Sequence, residues 1–277
     1  MNTQPTLCLD LLIHIGTFMN PKEDRFYYRY NERMYLAGAL RDKDLLQFYL
    51  KKEELDNACT SIALAKNLPF LRWLRREGCP WDEETCSSAA EGGHLEMLKW
   101  LHSEGCPWNS DTCYNAAQGG HLEMLKWLHS ERCPWDWRTC YATARRGQLE
   151  MLKWLRSEGC PWDAWTCRSA AEGGHLEVLK WLRCEGCPWD TNTCYAAAYG
   201  GHLEMLKWLH SEGCPWDEWT CKGAAKGGHL KVLKWLRNEG CPWDEDTCQA
   251  AVWGGHLEVL NWLRSEGCPS YDDCDTF

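Results

Sequence analysis

From Trp81 to Pro107 the apolar positions fall into two short runs of different width, separated by glycines. In the first, Cys86, Ala89 and Ala90 recur at i, i+3 and i+4, a narrow stripe of small side chains that lets neighbouring helices approach closely and predicts a helix from Glu83 to about Glu91. Asp82 is placed to cap it, because its carboxylate can accept from the unpaired amides two or three residues on. Gly92 and Gly93 end it, glycine being the residue that enters the left-handed conformation a helix terminus often needs. The second run has Leu95, Leu98 and Leu101 on one side and Met97 with Trp100 beside them, so more than half its circumference is apolar and it predicts a buried helix from about Leu95 to Glu104. Glu96, Lys99 and His102 fall outward, with Glu96 and Lys99 close enough for a weak ion pair. Gly105 and Pro107 stop this helix. The recurring Trp81 and Trp100 are assigned to the core, and His94 to fixing the start of the second helix by hydrogen bonding.

This pattern repeats. Cys-Pro pairs stand at a spacing of 27 residues, at Cys79, Cys106, Cys133, Cys160, Cys187, Cys214, Cys241 and Cys268. A fixed period of that size predicts an all-α solenoid of stacked helix-turn-helix units, each touching only its neighbours. Helices this short are marginal alone, so stacking must stabilise them. The expected division is an amino-terminal segment at 1–30, two degenerate copies within 31–80 (Ala39 to Phe48 and Ala63 to Leu74), seven regular repeats over 81–268 and an acidic tail at 269–277. Ser270 takes the place of the next tryptophan, so the stack is expected to stop there.

A formal net charge of -10 argues against a nucleic-acid backbone or an anionic membrane as partner, which would call for a basic face. Nineteen cysteines would suggest a disulfide framework behind a signal peptide, but the apolar stretch from Leu7 to Met19 has no basic leader, contains Asp10 and His14, and is too short to span a bilayer. Equivalent cysteines on packed helices should sit about 8–10 Å apart, beyond the roughly 7 Å that a disulfide tolerates. The expectation is a reduced, intracellular protein, cytoplasmic or nuclear.

The string Ala-Ala-x-x-Gly-His-Leu-Glu-x-Leu-Lys-x-Leu, from Ala89 to Leu101 and again from Ala116 to Leu128, resembles the helix pair of an ankyrin repeat. The resemblance covers roughly Asn57 to Cys268 and implies a protein-binding scaffold without cofactor or catalysis. The units are shorter than the usual ~33 residues of that family. Thr-Pro-Leu-His is reduced to Thr85-Cys86, and the protruding β-hairpin is expected to shrink to a Cys-Pro-Trp-Asp turn, which puts binding by hairpin tips in doubt.

Comparing copies separates positions that packing dictates from those it leaves free. The free positions are those of Glu84, Ser87 and Glu91, spaced i, i+3 and i+7 on one face of the first helix, opposite the Cys/Ala stripe. Small residues on the packing side should crowd the first helices and curve the array with this face inside, as a concave binding surface. Its candidate partner-binding residues are Tyr114, Trp137, Arg138, Tyr141, Arg145, Trp165, Arg168, Tyr195, Tyr199, Trp219, Lys222 and Trp253. Tyrosine, tryptophan and arginine dominate interface energetics. Varied residues on a solvated face can also drift without a partner, but aromatic residues are costly there.

Cys79, Cys86 and His94 carry zinc-type donors, yet a Cys-x6-Cys-x7-His spacing repeated along a scaffold is no compact finger, and Gln148 replaces the histidine in one copy. Cysteine as a small buried hydrophobe is the alternative. Repeated Cys/His pairs do not form a singular catalytic site, and no phosphate loop or nucleophile elbow is present in the sequence, so no enzyme activity is expected. Residues 7–19 are similar to the opening helix of an F-box, which implies docking to Skp1 through Leu11, Leu12, Ile15 and Phe18 and a substrate-receptor role in a cullin-RING ubiquitin ligase, as in F-box plus ankyrin proteins of large DNA viruses and some protists. Cys8 in place of proline and Gly16 at an apolar position depart from that pattern, and a plain capping helix fits the same residues. A metal- or redox-responsive cysteine-rich scaffold and a passive spacer stand as alternatives.

Overall fold

The computed structural model describes residues 58–76 and 78–269. Sixteen helices and no strand occur among them. The residues proposed to dock Skp1, the copy from Ala39 to Phe48 and the tail from Ser270 lie outside the described residues. By contacts the described residues fall into two compact units. The first comprises 58–62 with Asn67–Pro80; the second comprises Ala63–Lys66 and everything from Trp81 onward.

Helices α1 (Ala58–Leu64) and α2 (Leu68–Arg76) open the order. In the first unit the Asn67 side chain accepts from the Phe70 amide at 3.1 Å and so caps α2, while Phe70, Leu71 and Leu74 are buried. The second unit continues with helices in pairs, the first member short and small-sided, the second leucine-rich. They are α3 (Glu83–Glu91) and α4 (Leu95–Ser103), α5 (Ser110–Gly119) and α6 (Leu122–Ser130), α7 (Trp137–Arg145) and α8 (Leu149–Ser157), α9 (Ala164–Glu172) and α10 (Leu176–Cys184). Then come α11 (Thr191–Tyr199) and α12 (Leu203–Ser211), α13 (Glu218–Lys226) and α14 (Leu230–Asn238), α15 (Glu245–Trp253) and α16 (Leu257–Ser265). Each first helix packs directly on the first helix of the neighbouring repeat.

Local chemistry sets the boundaries. Asp82 is extended and its carboxylate accepts from the Glu84 amide at 3.0 Å; Asn109, Asp136, Asp163, Asp190 and Asp217 repeat the bond. At the other end Gly93 adopts φ +72, its amide donating to Ala90 and that of His94 to Ala89, which satisfies two otherwise orphaned carbonyls. The second helix closes in the same way at Gly105, φ +78, with Cys106 N–H donating to Leu101. Arg132 takes this left-handed position once, at φ 61.

The core is the alanine and cysteine stripe of the first helices against the leucines of the second. Cys86, Ala89, Ala90, Leu98 and Leu101 are all fully buried, and so are their counterparts through α13 and α14. Burying a leucine side chain contributes about 2 kcal/mol, which is how helices of nine residues hold together. The tryptophans do not belong to this core. Trp81 and Trp100 are half-buried and meet edge to face at 5.7 Å on the rim of the repeat, because a ring that size overhangs the narrow gap between two helices. His102, expected to face water, stacks on Trp108 of the next unit at 3.8 Å, and Arg156, Arg183 and Arg237 lie over Trp162, Trp189 and Trp243 at 4.1–4.2 Å. A flat imidazole or guanidinium over an indole thus links successive repeats along the rim.

His94 hydrogen-bonds with the Leu64 carbonyl at 2.9 Å. It occupies the N-cap of α4 without a side-chain capping bond. The histidine rings instead reach back one repeat: Nε2 of His121, His175, His202 and His229 pairs with the carbonyls of Glu91, Arg145, Glu172 and Tyr199 at 3.0–3.2 Å. Each ring sits over the left-handed glycine of the preceding repeat. A Cβ on Gly93 would come within 2.5 Å of the His121 ring, and one on Gly174 within 2.5 Å of the His202 ring. A Cβ on Gly92 would likewise strike its own repeat's His94. In the one repeat where Gln148 replaces the histidine, Arg146 replaces that glycine, as removal of the ring permits.

The turn cysteines close each repeat on itself. Cys106 Sγ donates to the Asp82 carbonyl at 3.4 Å, and Cys133, Cys160, Cys187, Cys214, Cys241 and Cys268 do the same to the capping residue 24 positions earlier at 3.4–3.6 Å. No cysteine among the described residues is in a disulfide.

These contacts separate two kinds of glycine. Gly174 and Gly186 have nearly the same φ, +76 and +77, but a Cβ on Gly186 meets nothing within 4 Å. Gly186→Ala should therefore lower stability by about 1 kcal/mol, the left-handed strain alone. Gly174→Ala should cost about 2–3 kcal/mol, because it also displaces the His202 ring from its carbonyl. Urea denaturation followed by circular dichroism measures the difference; equal costs would remove the histidine seat from the account.

Candidate functional site

The three free positions of the first helices are not equivalent in space. The middle one lies at the seam between neighbouring first helices: Ser87 is buried with its Oγ 3.5 Å from Thr112 Oγ1, and Lys222 is only 7% exposed. Tyr114, Tyr141, Arg168 and Tyr195 are half-buried there. The flanking positions carry the exposed side chains. Trp165 is 46% and Trp219 55% exposed at the start of their helices; Arg145, Tyr199 and Trp253 are exposed at the end of theirs. Trp137, one residue earlier than the free positions, is exposed as well. Trp253 adjoins Val252 and Leu257, exposed where earlier repeats bury Ala90 and half-bury Leu95.

The side chains are arranged by each other. Arg168 lies 4.5 Å from the Trp165 ring and Lys222 4.1 Å from the Trp219 ring, each on its own helix three residues on. Trp137 meets Tyr141 edge to face at 6.1 Å, and Arg145 donates to the Tyr141 hydroxyl at 3.4 Å and to Glu172 at 2.9 Å. Tyr195 and Tyr199 stack at 6.2 Å, with Lys226 6.0 Å from the Tyr199 ring. Three of the candidate cations are ion-paired inside the chain, Arg145 with Glu172 and the other two each with two carboxylates. Arg138 clamps Asp111 at 2.6 Å and Asp136 at 2.8 Å, with Ser110 accepting from the same guanidinium. Lys222 bridges Asp244 at 2.9 Å and Asp246 at 3.0 Å.

Charge follows this geometry. Partial burial alone would raise the Asp136 carboxyl, but hydrogen bonds from Arg138 hold it below the usual carboxylate range. Burial alone would lower Lys222, but Asp244 and Asp246 hold it above its ordinary value. Hydrogen bonding to Cys133, then burial, pushes the Cys113 thiol far up, and Cys140, Cys167, Cys194 and Cys221 follow the same rule with Cys160, Cys187, Cys214 and Cys241. These thiols stay protonated, and it is the thiolate that attacks and that binds metal. Among the described residues no cluster of three or more His, Cys, Asp or Glu is arranged to hold a metal ion, and no helix is long and apolar enough to cross a membrane.

The architecture agrees with the sequence comparison. The family described as ankyrin repeats (many copies) matches residues 86–129, 167–210 and 194–237. The chain carries ankyrin repeats. No curated protein matches it. The stretch between the matched ankyrin segments is where Arg132, Arg146 and Gln148 replace glycine, glycine and histidine of the consensus unit. Ankyrin arrays are protein–protein interaction scaffolds, and that is the functional class of this chain.

The rim of histidine and arginine side chains stacked on tryptophan was not visible in apolar periodicity alone. Its signal lay in the last turn of each second helix, which alternates only between histidine and arginine, at His102, His129, Arg156, Arg183, His210, Arg237 and Arg264.

Two consequences can be measured. Lys222→Ala should lower stability by about 2 kcal/mol, since it leaves Asp244 and Asp246 facing each other, whereas Lys226→Ala on the same helix should change it by less than about 0.5 kcal/mol; chemical denaturation of both variants checks this. Because Asp136 ionises more readily folded than unfolded, its contribution is present above about pH 4 and is lost as pH falls through its lowered folded value. Arg138→Ala should therefore lower the melting temperature at pH 7 and flatten its fall below about pH 4; an unchanged acid limb would show that the clamp does not couple to folding.

Proposed function

We propose that this ankyrin array is a non-catalytic scaffold that captures a protein partner on the outward face of its first helices, the inner and concave face of the array. The observation that carries the reading is the exposure of large aromatic side chains on successive first helices: Trp137, Trp165, Tyr199 and Trp219 lie on α7, α9, α11 and α13, with Trp165 and Trp219 at equivalent positions, where packing against the next repeat does not require them. Tryptophan and tyrosine concentrate binding energy when a partner desolvates them, and they carry a solubility cost when none does. Arg138 and Lys222 serve this face indirectly, by fixing neighbouring helices, and the exposed aromatics with Arg145 and Lys226 make the contact. The burial of the cysteines on the helix stripe, with the thiols of Cys113, Cys140, Cys167, Cys194 and Cys221 held protonated, supports cysteine as a packing residue over the metal- or redox-responsive alternative.

The substrate-receptor form of the reading, with Skp1 held by Leu11, Leu12, Ile15 and Phe18, rests on the resemblance of residues 7–19 alone, and co-purification of Skp1 lost on Leu12→Ala with Ile15→Ala tests it. For the face itself, Trp165→Ala and Trp219→Ala should each weaken partner capture by about tenfold or more while leaving the helical circular dichroism unchanged. Capture that survives both changes overturns the assignment.

A further inference from the structure

Charge is unevenly spread over the first helices. Helix α3 holds Glu83, Glu84 and Glu91 and no base, α5 only Asp111, and α15 Glu245 and Asp246. Between them, α7, α9, α11 and α13 hold five cations against two acids, on a chain whose net charge is -10. The same four helices carry Trp137, Trp165, Tyr199 and Trp219. The capping aspartates beside this band direct their carboxylates at helix amides, as Asp163 does to Trp165 N–H and Asp217 to Trp219 N–H, where the positive end of the helix dipole offsets them. The opposite edge presents Arg145, Arg146 and Lys226 to solvent, Arg145 while it also pairs with Glu172. Arg168 lies against Trp165 with its Nε finding no acceptor among the described residues.

Resting on the capture face described above, we propose that the partner's docking segment is an extended acidic peptide, its carboxylates meeting Arg145, Arg146 and Lys226 and its apolar side chains lying on Trp165 and Trp219. A basic segment would meet these cations with like charge, which costs affinity and specificity. The spacing of the aromatics sets the peptide's spacing. Trp165 and Trp219 stand two repeats apart, about 16–20 Å at the usual separation of packed helices. An extended chain covers that distance in about five or six residues.

The test selects a displayed library of random peptides, each about 20 residues long, against the full chain, and then measures synthetic winners by fluorescence anisotropy. Winners should be net acidic and carry two large apolar residues about five or six positions apart. Their affinity should fall by about tenfold or more in Trp165→Ala and Trp219→Ala, and similarly in the Arg145→Glu, Lys226→Glu double variant, and should weaken as salt rises from about 50 to about 300 mM. Neutral or basic winners that still need Trp165 and Trp219 would overturn the acidic partner and leave the capture face standing. Winners indifferent to both tryptophans would overturn the face as well. Heparin binding as tightly as the winners, with the same dependence on Arg145 and Lys226, would show that the edge reads charge alone and overturn the peptide; failure to enrich any sequence would overturn a linear docking segment.

Discussion

The array depends on a histidine ring seated on a residue that has no side chain. Each second helix begins beside a glycine held in the left-handed region, and the histidine of the following repeat lies over that glycine and pairs with the last carbonyl of the preceding first helix, as His121 does with Glu91. One contact does three things: it satisfies a helix-terminal carbonyl, sets the approach of adjacent repeats, and requires glycine both for φ and for space. The alanine stripe beside it is smooth and non-directional, so it cannot set the register in the same way. The paired substitution of Arg146 and Gln148 concerns the other glycine: where the ring is gone, the αR glycine of the same repeat that it crowds is replaced, while the left-handed Gly120 and Gly147 remain.

Around this seat the repeat divides its surface between two jobs. The rim, where His102 or Arg156 covers the tryptophan of the next unit, uses aromatic area to link repeats and leaves little of it open. The face of the first helices does the reverse. Its middle position is absorbed into the seam, with Lys222 tying α13 to the start of α15 through Asp244 and Asp246, and its flanking positions leave Trp165, Tyr199 and Trp219 exposed. A scaffold that must stay rigid while offering a docking surface gains from this separation, because residues that bind need not also support the fold.

Helix boundaries were legible because they are local. Asp82, Gly93 and Gly105 act through amides and carbonyls within a few residues, so spacing alone placed Glu83–Glu91 correctly and the second helix to within one residue. Side-chain destinations were less legible. Trp100 shares the helical phase of the leucines, and periodicity cannot tell a ring inside the core from one at its rim. His94 stands at the start of the second helix, as expected, but the hydrogen bonds of the histidines span 30 residues, a distance no local pattern encodes. The turn cysteines read as buried small residues, but their donation to the capping carbonyl 24 positions earlier needed coordinates.

What the amino-acid order determined by itself was the unit: its period, its two helices, their caps, and the list of positions freed from packing, all of which rest on short-range sterics and hydrogen bonding. Which of those freed positions reach solvent was decided only by the tertiary structure. Neighbouring first helices close over the middle position and leave the flanking ones open, so Lys222 became a strut and Trp219, three residues before it, a surface. That outcome depends on how closely small residues let helices approach, a property of the stack and not of any single repeat.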